Sequence, residues 1–166
     1  MSVDIKKIPA CVERAMIHAF KVQLSTNANV ASMTMHPDPS KIGSMDCLST
    51  IMLASTALTG SLSLGFSTPT FLKVLEKMIG ETYSEITSEN CDASSEILNI
   101  IYGQARREIN ECGFDFELGI PSTVIGKNLA IAKSNLSGQV LFFNCSSELG
   151  DFVVVLSLKV RPTTPQ

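Results

Sequence analysis

Residues able to do chemistry are few in this chain, and their spacing excludes more than it offers. His18 and His36 are the only histidines, and neither has a cysteine or carboxylate at the spacing of a zinc site. Beside the apolar stripe of a first helix, His18 reads as a half-buried structural residue. Cys11, Cys47, Cys91, Cys112 and Cys145 are an odd number without a C-x-x-C pair, which fits reduced, buried thiols better than a disulfide framework. The segment Gly119 to Lys127 is rich in Gly, Pro and Ser but lacks the spacing that wraps backbone N–H groups around phosphate. Triad enzymes draw on residues distant in sequence, and nothing here favours one. What remains is one helix. Glu96 and Asn99 are neighbours at i,i+3, and Gly103 follows one turn later. At about 100° per residue, Asp92, Glu96, Asn99, Gly103, Arg106 and Arg107 share a polar side. Ile97, Leu98, Ile101, Ala105, Ile109 and Cys112 fall opposite and must face a core. A glycine on an exposed helical face costs about 1 kcal/mol against alanine, which implies that something approaches the backbone there. Ile100 adds apolar surface at the edge of the same face. By spacing alone, a Glu and an Asn on the wet side of a helix are an ordinary solvated face.

The elements around this helix follow from periodicity. Ile5, Ile8, Val12, Met16, Ile17 and Phe20 recur at three- and four-residue steps and predict a first helix. The Ser, Thr, Asn and Met segment ending in His36-Pro37-Asp38-Pro39 reads as a short edge strand and a loop. Leu62, Leu64 and Phe66 alternate with Ser61, Ser63 and Gly65, so Ile51 to Leu58 and Ser61 to Ser67 predict a hairpin turning at Thr59-Gly60. Thr68-Pro69 predicts a helix start capped by the Thr hydroxyl, with Phe71, Leu72, Leu75, Met78 and Ile79 as its stripe and Gly80 as its stop. The Glu96 helix is expected over about Ser88 to Cys112, with Gly113 as its stop. Phe114, Phe116, Leu118 and Ile120 predict a strand that Pro121 ends or puts at an edge. Val140 to Cys145 and Phe152 to Val160 predict a terminal hairpin. Strands paired mainly by hairpins, with three main helices packed on them, make an α+β fold with an antiparallel sheet.

With 166 residues, 45% of them hydrophobic, and no linker-like stretch, the chain reads as a single domain, 1–166. A net charge of -3 without a Lys/Arg run leaves no electrostatic footprint for nucleic acid or anionic membrane. No run of about 20 apolar residues is present, so no membrane span is expected. Asp4, Lys6, Lys7, Glu13 and Arg14 stand where a signal peptide needs its apolar core, which predicts a cytoplasmic protein.

Two segments carry a family likeness. Ser95-Glu96-Ile97-Leu98-Asn99-Ile100-Ile101-Tyr102-Gly103-Gln104-Ala105-Arg106 and Phe114 to Gly126 resemble the CheX phosphatases of the CheC/CheX/FliY chemotaxis family, whose pattern is Glu, two residues, Asn, then Gly one turn on. The likeness extends to Ala10 to Lys21, the Thr59-Gly60 hairpin and the helix from Phe71 to Gly80. CheC-type members carry the Glu-x-x-Asn helix twice; one copy here resembles the CheX branch, with Gln104 where many members have Asn. The resemblance implies a phosphatase that hydrolyses the phospho-aspartate of a CheY-like response regulator in two-component signalling. It implies that Asn99 orients the attacking water and that Glu96 pairs with a receiver lysine, while Ile100 and Gly103 meet the partner. It implies no cofactor or metal of the chain's own, the Mg²⁺ coming with the receiver, and a homodimer formed by sheet extension. The long aliphatic strand Phe152 to Val160, with no run of gatekeeper residues to blunt it, is the expected edge. Two alternatives stay open. One is a module that docks a receiver or flagellar-switch component with weak turnover. The other is an unrelated ligand-binding α+β protein whose own chain covers the Glu96 face.

Overall fold

A computed structural model describes residues 4–36, 44–131 and 138–162. The first apolar stripe forms helix α1, Ile8–Gln23, after one 3-10 turn at Ile5–Lys7. Pro9 stands at the start of α1, where its missing N–H costs nothing. Strands β1 (Ala28–Thr34), β2 (Cys47–Ala54) and β3 (Leu58–Phe66) precede helices α2 (Thr68–Ile79) and α3 (Asp92–Glu111). Strands β4 (Ser122–Ile125), β5 (Gln139–Ser147) and β6 (Gly150–Val160) follow. All six strands form one antiparallel sheet in the order β1-β5-β6-β3-β2-β4. The predicted class, the three main helices, the early edge strand and the terminal hairpin are all present. Pro37 to Pro39 lie outside the described residues.

Alternation along β6 sets up both faces of the sheet. Phe152, Val154, Leu156 and Leu158 join the core made with the three helices, whereas Val153 and Val155 meet Met45, Val140 and Phe142 on the other side. Phe20 of α1 stacks on Phe152 with ring centroids 4.4 Å apart, and Phe66 lies 5.7 Å from Phe152. A strand buried on both faces reads as a continuous aliphatic run, and this is why Phe152 to Val160 resembles an unprotected edge. It is not one. Both edges of β6 are paired, to β3 and β5, and the outer strands of the sheet are β1 and β4.

Other expectations are corrected in the same way. The β2–β3 hairpin turns at Ser55 to Ala57, closed by Ser55 N–H donating to the Leu58 carbonyl at 2.9 Å and Leu58 N–H donating to Ser55 Oγ at 2.9 Å. Thr59 and Gly60 are inside β3, paired with Ala54 and Leu53. A Cβ built on Gly60 would overlap the Ser157 carbonyl oxygen of β6, so this glycine serves a close approach between strands. The cap of α2 is Ser67, whose hydroxyl accepts from Thr70 N–H at 3.4 Å, while Gly80 ends the helix at φ 81° as predicted. Phe114 to Ile120 is an extended connector instead of a strand: Phe114 and Phe116 are buried, but Leu118 is 75% and Ile120 91% exposed. The strand lies beyond Pro121, where Ser122–Ile125 pairs with β2. Cys112 falls just past the last turn of α3 and is exposed; the other four cysteines are buried. No helix among the described residues is long and apolar enough to cross a membrane.

Asp46 joins the sheet to α2. Burial would raise its carboxyl, but donors outweigh this: the Thr68 hydroxyl at 2.7 Å, the Thr68 and Asn128 amides at 2.9 and 3.1 Å, and the Ser44 hydroxyl at 2.9 Å hold its pKa near about 2. A carboxylate depressed in the folded state stabilises above its unfolded value and loses that contribution as pH falls through the folded one. The stability difference between wild type and Asp46→Asn is therefore expected to shrink by about 2 kcal/mol as pH is lowered from 6 to 2 in urea titrations. A difference independent of pH would mean that the aspartate is not held ionised.

Candidate functional site

The polar face of α3 is held in place by what its opposite side buries. Ala93, Ile97, Leu98, Ile101, Tyr102, Ala105 and Ile109 face the core, which fixes the rotation of the helix about its axis. Ser94, also buried, adds a polar lock: Ser49 Oγ of β2 donates to Ser94 Oγ at 2.8 Å and lies 2.7 Å from Thr123 Oγ1 of β4. Before the helix, Asn90 pins its own turn, accepting from Thr87 N–H at 2.9 Å and donating to the Glu85 carbonyl at 3.0 Å. Near the other end, Asn110 clamps Phe116 by a pair of bonds, 2.8 Å from Phe116 N–H and 3.1 Å to its carbonyl. Arg106 Nη1 donates to the same carbonyl at 3.2 Å, and the Tyr102 hydroxyl donates to the Glu117 carbonyl. With a single backbone bond to β2, Glu117 N–H to the Ala54 carbonyl at 2.8 Å, these side-chain bonds hold the connector without a strand ladder, which is why its alternation misleads. Arg106 is thus drawn away from the polar face on which its spacing placed it. Between the helices, Arg14 Nη2 of α1 meets Glu108 Oε2 at 2.8 Å, an exposed pair that contributes little by itself.

On the solvent side, Glu96 and Asn99 are exposed, and neither has a hydrogen-bond or ion-pair partner among the described residues. Ile100 and Gly103 are half-buried on the same face. The four residues singled out by spacing are therefore together, and no described segment covers them, contrary to what an unrelated ligand-binding protein would need. A Cβ at Gly103 would meet nothing within 4 Å, so the fold itself has no use for glycine there. Gly103→Ala is accordingly expected to raise stability by up to about 1 kcal/mol in chemical denaturation. A loss of stability would show that the glycine serves the fold.

Sequence reasoning missed what lies beside this face. His18 is exposed, not half-buried, and with Val22 of α1 it borders an open groove of about 530 Å³ whose other wall includes Ile100, Gly103 and Arg107. Only the packing of α1 on α3 creates the groove, so no local pattern signals it. Elsewhere the chemistry is sparse. Burial pushes the thiols of Cys47 and Cys145 up to about 12, leaving both neutral and unsuited to nucleophilic attack. No group of three or more His, Cys, Asp or Glu among the described residues could hold a metal ion.

The family model described as chemotaxis phosphatase CheX matches residues 48–144. Among solved structures, the chain is similar to the chemotaxis protein CheX from Vibrio vulnificus, with a TM-score of 0.82 at 24% identity over 92% of this chain and 99% of that one. It is also similar to CheX of Borrelia burgdorferi in a CheX-CheY-BeF3-Mg complex, with a TM-score of 0.72 at 19% identity over 95% and 99%. A more distant likeness is the FliM middle domain from Vibrio alginolyticus, with a TM-score of 0.57 at 16% identity over 92% of each chain. No curated protein matches the chain. At these identities the solved structures establish the fold.

Proposed function

Since the chain belongs to the chemotaxis phosphatase CheX family, we propose that it hydrolyses the phospho-aspartate of a CheY-like receiver docked on the exposed face of α3. The observation that carries this reading is a rigidly held helix presenting an unpartnered carboxylate, an unpartnered amide and a bare stretch of backbone on one open face. A phospho-aspartate is a labile acyl phosphate, and the receiver brings its own Mg²⁺ and lysine. Positioning a water in line with phosphorus is then the main task left. The Asn99 carboxamide oxygen accepts a hydrogen bond from that water and fixes its direction without having to titrate. Glu96 pairs with the receiver's lysine, setting the register of the dock. Gly103 lets the partner's loops come close to the α3 backbone, and Ile100 supplies apolar contact next to it. The complex formed by the Borrelia relative, which holds a CheY with BeF3 and Mg²⁺, supports a receiver as the partner.

The test is phosphate release from receivers charged with acetyl phosphate, with and without the protein. Glu96→Lys is expected to weaken receiver affinity about tenfold at low salt, with part of the loss removed at high salt because a rim charge is screened. Equal affinities at both ionic strengths would remove the ion pair. The likeness to a FliM middle domain favours a second reading, a docking module with little turnover. Tight receiver binding without accelerated phosphate loss would establish it. Pairing of two copies by sheet extension, if it accompanies either role, uses β1 or β4, since these are the outer strands. In this reading the reaction takes place in the cytoplasm, with its receiver.

A further inference from the structure

We propose that the groove between α1 and α3 is a second docking element for the receiver, one that takes an apolar side chain with a carboxylate next to it and so selects among receivers. The inference deepens the proposed function and rests on a receiver being the partner. Its floor is made of small groups: Ala19 is buried, and Gly103 contributes no side chain into space that is otherwise open. Its walls carry an apolar strip set among polar residues, Val22 of α1 being 56% exposed on one side and Ile100 half-buried on the other, with Gln23 and Gln104 beside them. Such a cleft accepts a hydrophobic side chain without any rearrangement of the helices.

Charge complementarity identifies what accompanies that side chain. Arg107 is exposed at the edge of the groove and has no partner among the described residues. The nearby carboxylate, Glu108, is already taken by Arg14 through contacts of 2.8 and 3.0 Å to Nη2 and Nε. Arg107 therefore offers an unsatisfied guanidinium, which suits a carboxylate on the partner. It also lies eleven residues after Glu96, which at 1.5 Å and 100° per residue is about 16 Å along α3 and nearly the same direction. A face with an anion at one end, a cation at the other and a cleft with an apolar strip beside the cation fits a partner in one orientation only. A receiver with a lysine but no acidic and apolar pair at that distance meets half of the surface and is disfavoured.

The test measures binding separately from turnover, using a receiver domain from the same genome activated with beryllofluoride and Mg²⁺ for affinity and charged with acetyl phosphate for kinetics. Arg107→Glu is expected to weaken binding and raise KM about tenfold, with the effect shrinking in high salt and kcat changing less than about twofold. Arg107→Gln should give a smaller loss of the same kind, and Val22→Ser a loss of about threefold that salt does not relieve. Lys77→Glu on α2 is the charge-matched control and should bind as wild type. Wild-type affinity in Arg107→Glu and Val22→Ser would overturn the proposal. So would an equal loss in Lys77→Glu, or a second copy of the chain or a free dicarboxylate competing for the groove at the receiver's expense. Wild-type binding without turnover would sink the phosphatase reading alone, the groove still being judged by the affinities of its variants. A wild type that binds no receiver would overturn both.

Discussion

Asn99→Ala is expected to slow phosphate release from a charged receiver by about a hundredfold or more, a loss of about 3 kcal/mol in transition-state stabilisation. The side chain is exposed and makes no bond within the described chain, so its removal should leave stability within about 0.5 kcal/mol of wild type. A large kinetic loss without a structural one is what a water-positioning group produces and what a helix-packing residue does not. Affinity for the beryllofluoride-activated receiver should remain close to wild type, because Glu96 and the surrounding face still dock. Asn99→Asp sharpens the measurement, since it keeps the shape but brings a negative charge towards a phosphoryl group and should be no more active than alanine. A loss smaller than tenfold in Asn99→Ala would remove this residue from the mechanism.

The largest effect on stability is expected at a glycine far from that face. Gly60→Ala should cost about 3 kcal/mol in urea denaturation, because the added methyl overlaps the Ser157 carbonyl oxygen of the neighbouring strand. Nothing there can yield cheaply. The obstacle is backbone, and β6 is held by strands on both sides and by Phe20 and Phe66 packed on Phe152. At Gly103 the same substitution meets open space, so one chemical change has opposite signs at two sites. If Gly60→Ala lost less than about 1 kcal/mol, the β3–β6 register would have to be different.

These two glycines also show what a sequence can and cannot disclose. Helical stripes are local, and α1, α2 and the apolar side of α3 follow directly from spacing. So does the grouping of Glu96, Asn99, Ile100 and Gly103 on one exposed face, since 3.6-residue periodicity fixes direction before any packing is known. The roles proposed for these residues rest on family resemblance, because an exposed Glu and Asn have no chemistry of their own. Gly60 looked like a turn because glycine serves both turns and close strand approaches, and only the neighbouring strand tells them apart. Phe114 and Phe116 alternate like a strand, yet the backbone of Phe116 is bonded to the side chains of Arg106 and Asn110 and not to another strand. Arg106 leaves the polar face for a related reason: its long side chain turns to the Phe116 carbonyl of the connector. The α1–α3 groove is a property of two helices together and appears in neither alone.

The place of β6 in the sheet has a consequence for how the molecule is made. Its two partners are very unequal in reach: β5 is a hairpin neighbour, whereas Leu58 of β3 pairs with Val160, about a hundred residues later. Sheet closure therefore waits for the last strand. During synthesis, the β2–β3 hairpin and the three helices can form early, but β3 keeps one open edge until Gly150–Val160 has emerged. That edge carries Leu62, Leu64 and Phe66, and it is the part of the nascent chain most open to pairing with a strand of another molecule. The time for which that edge stands unpaired during synthesis is therefore expected to bear on aggregation during expression.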